Sequence, residues 1–124
     1  MRKTGLKGAA LISAFLLSAC QTTHVAETSK ADIKEVINSS EATLVDVRIP
    51  EQYAEGTAKN AINIPLSTIQ NNLKSLKGKK VVVFCNKGVQ ADQAVEILKK
   101  NGVEVYDGTS WKNVKAIQDE ASNK

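Results

Sequence analysis

The chain has 124 residues, enough for one domain with one core, and at 42% hydrophobic and 24% charged it has the composition of an ordinary globular protein. Its formal net charge of +4 is concentrated at the start: Arg2, Lys3 and Lys7 supply three of the 17 basic residues, and the remaining 14 face 13 acidic ones. A body so nearly neutral has no electrostatic footprint for nucleic acid, and that class of partner is set aside.

Residues 1–19, "MRKTGLKGAALISAFLLSA", carry a basic start and then the small and apolar run Gly8–Ala19. That run is shorter than the roughly 20 residues of a membrane-spanning helix and suits a secretory signal. It ends in "LSAC" (Leu17 to Cys20), which resembles the bacterial lipobox. The resemblance implies cleavage before Cys20 and a diacylglyceryl group on its sulfur. Gln21, rather than Asp, follows the cysteine, which implies a lipid-anchored protein of the bacterial envelope, on the outer membrane and facing the periplasm. Residues 20–28 are then an anchor and a polar tether, with a reach of roughly 15–20 Å for about ten flexible residues. The only histidine, His24, lies in that tether, so the domain has no dedicated metal site and no Cys–His catalytic pair. Acylation of Cys20 would leave Cys85 as an unpaired thiol in an oxidising compartment, which calls for burial or chemistry.

The globular domain is expected over 29–124. Ser29 and Asp32 resemble a capping box before the helix "ADIKEVINSS", whose Ile33, Val36 and Ile37 share a face. "TLVDV" is a short apolar strand, "PEQYAE" a helical turn started by Pro50, and "AINI" a second strand. "STIQNNLKSLKG" puts Ile69, Leu73 and Leu76 on one helical face and stops at Gly78. "KVVVF" is apolar on both faces, as a strand inside a parallel sheet is. "ADQAVEILKKNG" aligns Ala91, Ala94, Val95 and Leu98; "VEVY" is a fourth strand; "SWKNVKAIQDE" is a last helix capped by Ser110 with Trp111, Val114 and Ile117 inward. The alternation predicts an α/β fold, a mostly parallel sheet of four to five short strands flanked by helices.

Cys85 stands where the central strand hands over to a helix, the end of a parallel sheet at which sites collect. "CNKGVQ" is read as a turn ahead of a helix beginning at Ala91, with Gly88 giving the backbone its freedom. Successive amides in such a turn, and the helix N-terminus behind it, form a nest that favours thiolate over thiol. Asn86, Lys87, Gly88, Val89 and Gln90 are the candidate substrate-binding loop, with Lys87 adding a cation, Val89 expected to pack and Gln90 polar near the helix start.

These segments together resemble a single-domain rhodanese, and in particular the small exported rhodaneses of the phage-shock type. The resemblance is carried by "LVDVRIPEQY", "AINIP", "VVVFCNKG", "AVEILKKNGVEVYDG" and Trp111. It implies a sulfurtransferase in which Cys85 takes a sulfane sulfur as a persulfide. A small sulfur-containing anion such as thiosulfate would be the donor, and a thiol or cyanide the acceptor. It implies no metal and no organic cofactor. Asp46 and Arg48 match the family's Asp-Val-Arg element, with a role in supporting the site or as an ordinary structural ion pair. The alternative function is a non-catalytic or redox-sensing binding module. This chain departs from the family pattern in four places. Val89 and Gln90 stand where many members have an arginine. Thr57 and Asn60 replace the histidine and second glycine of a Gly-His-Ile-x-Gly-Ala run. Thr109 replaces the second glycine of a late Gly-Gly pair.

Overall fold

A computed structural model describes residues 30–124. The signal, Cys20, the tether with His24 and the expected cap at Ser29 lie outside the described residues. In chain order the elements are α1 (Lys30–Ile37), β1 (Ala42–Asp46), α2 (Pro50–Glu55) and β2 (Ile62–Asn63). A 3-10 segment (Leu66–Asn72) then runs into α3 (Leu73–Leu76), followed by β3 (Lys80–Cys85), α4 (Val89–Lys100), β4 (Glu104–Ser110) and α5 (Trp111–Ser122). The strands form one all-parallel sheet in the order β2-β1-β3-β4.

Side-chain alternation along β3 divides the core in two. Val81, Val83 and Cys85 face a layer built from Ile69, Leu76, Ala91, Ala94 and Leu98. Val82 and Phe84 face Ile37, Ala58, Ala61, Val114 and Ile117, with Ile33, Val36 and Trp111 packed against them. Every β3 residue from Val81 to Cys85 is buried, the reason its sequence is apolar without alternation. Ser110 caps α5 as expected, accepting the Asn113 N–H at 3.1 Å.

Two segments away from the cysteine turn differ in extent from the sequence reading. The segment after Pro65 winds as a 3-10 helix until Asn72, and only its last four residues are α-helical. Thr68 and Asn72 explain part of this. The Thr68 hydroxyl donates back to the Pro65 carbonyl and the Asn72 amide to the Thr68 carbonyl, so side chains compete for the backbone acceptors. Strand β4 runs on past "VEVY" to Ser110, with a bulge: Val83 pairs Asp107 but Phe84 pairs Thr109.

The bulge explains one glycine and one anomaly. A Cβ on Gly108 would lie 2.8 Å from Val114 Cγ2 and 3.0 Å from Val82 Cγ1, so no side chain fits there. Its neighbour Thr109 is exposed but adopts φ 63°, a left-handed conformation that is costly for a β-branched residue. Relief of that strain, about 1–3 kcal/mol, outweighs the extra chain entropy of glycine, about 0.5–1 kcal/mol. Thr109→Gly is therefore expected to raise the stability of the domain by about 1 kcal/mol. Denaturant unfolding monitored by Trp111 fluorescence measures it, and an unchanged or lowered midpoint contradicts the strain.

Candidate active site

Strand β3 delivers Cys85 to the carboxyl end of the sheet, where the residue is only 2% exposed. Asn86 and Lys87 lead to Gly88, whose φ of +107° turns the chain sharply back. The turn aims backbone donors at the sulfur: the Gly88 N–H donates to Sγ at 3.0 Å and the Ala91 N–H at 3.4 Å. On the other side the Thr109 carbonyl oxygen lies 3.6 Å from Sγ, placed to accept a thiol proton. The amides of Val89 and Gln90 precede the helix's own hydrogen-bond ladder, so they too are donors without an intrahelical partner.

Helix α4 begins at Val89, two residues before the start expected from the apolar pattern. Gly88 serves as its N-cap through backbone conformation alone, without the side-chain cap that sequence reading looks for. Val89 and Gln90 are thus first-turn helix residues. Val89 is not packed: it is 67% exposed, because the first turn protrudes past the sheet and Ala91 is the residue that turns inward.

A shallow cleft of about 300 Å³ opens at the cysteine, lined by Gln52, Cys85, Asn86, Lys87, Val89 and Gln90. All the candidate loop residues except the buried Gly88 therefore border it. Lys87 is the charged side chain among them. Gln52 of α2 is an addition to the sequence-derived set. The topological rule could have found it, since α2 follows β1, the strand beside β3, at the same end of the sheet. A larger cleft of about 540 Å³, lined by residues including Ile37, Ser39, Ala42 and Lys59, lies at the opposite end of β1 and contains no nucleophilic thiol.

Asp46 and Arg48 are joined to each other and do not border the Cys85 cleft. The Arg48 guanidinium donates from Nε at 3.0 Å and from Nη2 at 2.7 Å to the two carboxylate oxygens, with both side chains buried. Nη2 also donates to the Gly56 carbonyl at 2.6 Å, and the guanidinium carbon lies 5.1 Å from the Trp111 ring centroid. Trp111 packs with Phe84, on the face of the sheet away from the Cys85 sulfur. The pair reaches the cysteine strand through the backbone, where the Val47 N–H donates to the Phe84 carbonyl at 2.9 Å.

Comparison with known proteins places this arrangement. The family model described as a rhodanese-like domain matches residues 29–115. The chain belongs to the rhodanese-like domain family. It is 43% identical over 61 residues to the thiosulfate sulfurtransferase PspE of Escherichia coli, covering 47% of this chain and 59% of that protein. It is 29% identical over 79 residues to a tRNA uridine(34) hydroxylase of Salmonella newport, covering 58% of this chain and 23% of that protein. The aligned part thus spans less than two thirds of either relative. Among solved structures, a rhodanese-related protein of Thermoplasma volcanium aligns with TM-score 0.57 and 33% identity, over 73% of this chain and 87% of its own. A rhodanese with anions from E. coli aligns with TM-score 0.55 and 37% identity, over 58% and 89%.

The departures of this rhodanese-like domain from its family pattern have structural substitutes. Thr57, at the histidine position, donates its hydroxyl to Asp46 Oδ2 at 2.7 Å and completes the buried pair. Asn60, at a glycine position, keeps a left-handed φ of 63°, which asparagine tolerates better than most residues. Removing one partner of a buried ion pair leaves the other charge desolvated. Arg48→Ala should therefore destabilise the domain by about 3 kcal/mol. Arg48→Lys should recover only part of this, since lysine cannot donate bidentately while reaching Gly56. Chemical denaturation of the three proteins measures both effects.

Proposed function

We propose that this rhodanese-like domain is a sulfurtransferase that carries sulfane sulfur on Cys85. The carrying observation is the convergence of the Gly88 and Ala91 amides on Sγ at the floor of an open cleft. The likeness to a protein named thiosulfate sulfurtransferase adds to it. In the first half-reaction the Cys85 thiolate attacks the outer sulfur of thiosulfate. The S–S bond breaks, sulfite leaves with the electron pair, and Cys85 becomes a persulfide. In the second, a thiol or cyanide attacks the terminal sulfur, and the Cys85 thiolate is the leaving group. The amides serve both halves by stabilising negative charge, first on Sγ and then on the added sulfur. Donors fixed in the backbone need no reorganisation during the reaction.

The cleft gives the donor one cation, Lys87, as a point charge and no guanidinium fork. Incubation with thiosulfate should add about 32 Da, one sulfur atom, to the Cys85-bearing peptide of the wild type. Cys85→Ser, close in size but unable to form a persulfide, should show neither the added mass nor thiocyanate formation, with nearly unchanged stability. A wild-type protein that takes sulfur from no donor would favour the reading as a binding or redox-sensing module.

We further propose that the domain works from the membrane surface of a bacterial envelope, anchored through Cys20. The support is the "LSAC" run behind a basic, apolar start. Several acyl chains on one residue anchor stably where one does not. Cys20→Ala should move the expressed protein from the detergent phase to the aqueous phase in a phase-partition experiment. Equal partition of the two proteins would rule the anchor out.

A further inference from the structure

Two carboxamide side chains at the cysteine cleft stand without partners. The other carboxamides that are at least partly buried among the described residues are all tied to backbone. Asn63 donates to the Asp46 and Arg48 carbonyls, Asn72 to that of Thr68 and Asn101 to that of Ile97. Gln118 exchanges two hydrogen bonds with the backbone of Lys59. Gln52 and Gln90 are partly buried as well, yet neither side chain makes a hydrogen bond among the described residues. Both border the cleft of about 300 Å³ that holds Cys85. They come from separate elements, Gln52 from α2 and Gln90 from the first turn of α4. Partly buried polar groups are ordinarily satisfied, and two exceptions at one cleft call for a polar ligand there.

We propose that Gln52 and Gln90 are the donor-binding pair of this cleft. They grip the sulfonyl oxygens of the sulfur donor and suit the cleft to singly charged organic thiosulfonates, R–SO₂–S⁻, ahead of thiosulfate. This rests on the reading of Cys85 as a sulfur carrier and names the class of donor for it.

Each carboxamide NH₂ can donate to a sulfonyl oxygen while its C=O turns to water. Such donors carry no net charge. The one charged side chain in the cleft lining is Lys87, which is exposed and has no ion-pair partner among the described residues. Attraction of an anion to one cation and to dipoles grows in proportion to the anion's charge. The cost of taking the anion out of water grows as the square of that charge. A cleft with one cation and neutral donors therefore favours a monoanion over the thiosulfate dianion. Val89, 67% exposed on the same rim, gives an apolar R group a surface to cover. The chemistry keeps its form. The Cys85 thiolate attacks the outer sulfur, the S–S bond breaks, and a sulfinate, R–SO₂⁻, leaves with the electron pair. Cys85 keeps the sulfur as a persulfide.

The test is binding to the full chain carrying Cys85→Ser, which has no thiolate in the cleft to react. It is titrated with sodium methanethiosulfonate and, separately, with sodium thiosulfate. NMR follows the side-chain NH₂ signals of Gln52 and Gln90, a local readout to which Cys20 does not contribute. Both signals should shift along saturable curves, and methanethiosulfonate should bind at least as tightly as thiosulfate. Gln52→Met and Gln90→Met, near in size but unable to donate, should each weaken methanethiosulfonate binding about fivefold, the scale of one neutral hydrogen bond. If either does not fold, Gln52→Glu or Gln90→Glu keeps the size and polarity and should weaken binding further, since a carboxylate repels the donor. Tighter binding of thiosulfate than of methanethiosulfonate, carboxamide signals that do not move, or variants that bind as their parent does would each overturn the proposal. The transfer reading fails separately: it falls if wild-type Cys85 gains the mass of sulfur from no donor, whatever the Cys85→Ser protein binds.

Discussion

The left-handed turn at Gly88 is the constraint on which the cysteine end of this domain depends. A φ of +107° brings the Gly88 N–H to 3.0 Å from Sγ and starts α4 at the next residue. A residue with a Cβ would strain that turn even though space around it is open, the nearest atom to such a Cβ being Thr109 Cβ at 3.9 Å. The constraint is therefore one of dihedral angle and not of packing. At Gly108 the reverse holds, since surrounding side chains exclude a Cβ outright. Two glycines on the same end of the sheet are thus required for unrelated reasons, one to aim a hydrogen bond and one to let α5 approach.

The sheet also separates two kinds of work. On one face Cys85 joins a wholly apolar layer that ends at the cleft. On the other, Asp46, Arg48, Thr57 and Trp111 form a polar knot that holds the end of β1 in place. The knot is fully interlocked: each carboxylate oxygen of Asp46 accepts from Arg48, and Oδ2 also accepts from Thr57. Isolation of this charge pair from the sulfur lets it be strong without acting on the thiol.

Much of this was legible in the sequence because burial writes itself into periodicity. The unbroken apolar run of β3, the helical spacing of Ala91, Ala94 and Leu98, and the serine cap of α5 each have one physical reading, and the structure shares it. Cys85 stood out as a single thiol at a strand's carboxyl end. The start of α4 was hidden because its cap is a backbone conformation, which leaves no side-chain signature. Gln52 was hidden because it reaches the cleft from a different crossover, a relation of space and not of spacing. The bulge at Gly108 was hidden because a one-residue shift in register is invisible to a period of two.

That bulge matters for the rim of the sheet as well. Strand β4 is the last in the order, and an outer strand with a regular ladder is a template on which a foreign strand can grow. Here regularity ends at Val83 opposite Asp107, where the backbone twists through Gly108 and the left-handed Thr109. The opposite rim is β2, which is only two residues long. Neither rim offers a long, straight row of free amides and carbonyls. The kink that shapes the cysteine pocket therefore also blunts the sheet against aggregation, and straightening it would expose the domain to edge-to-edge polymerisation.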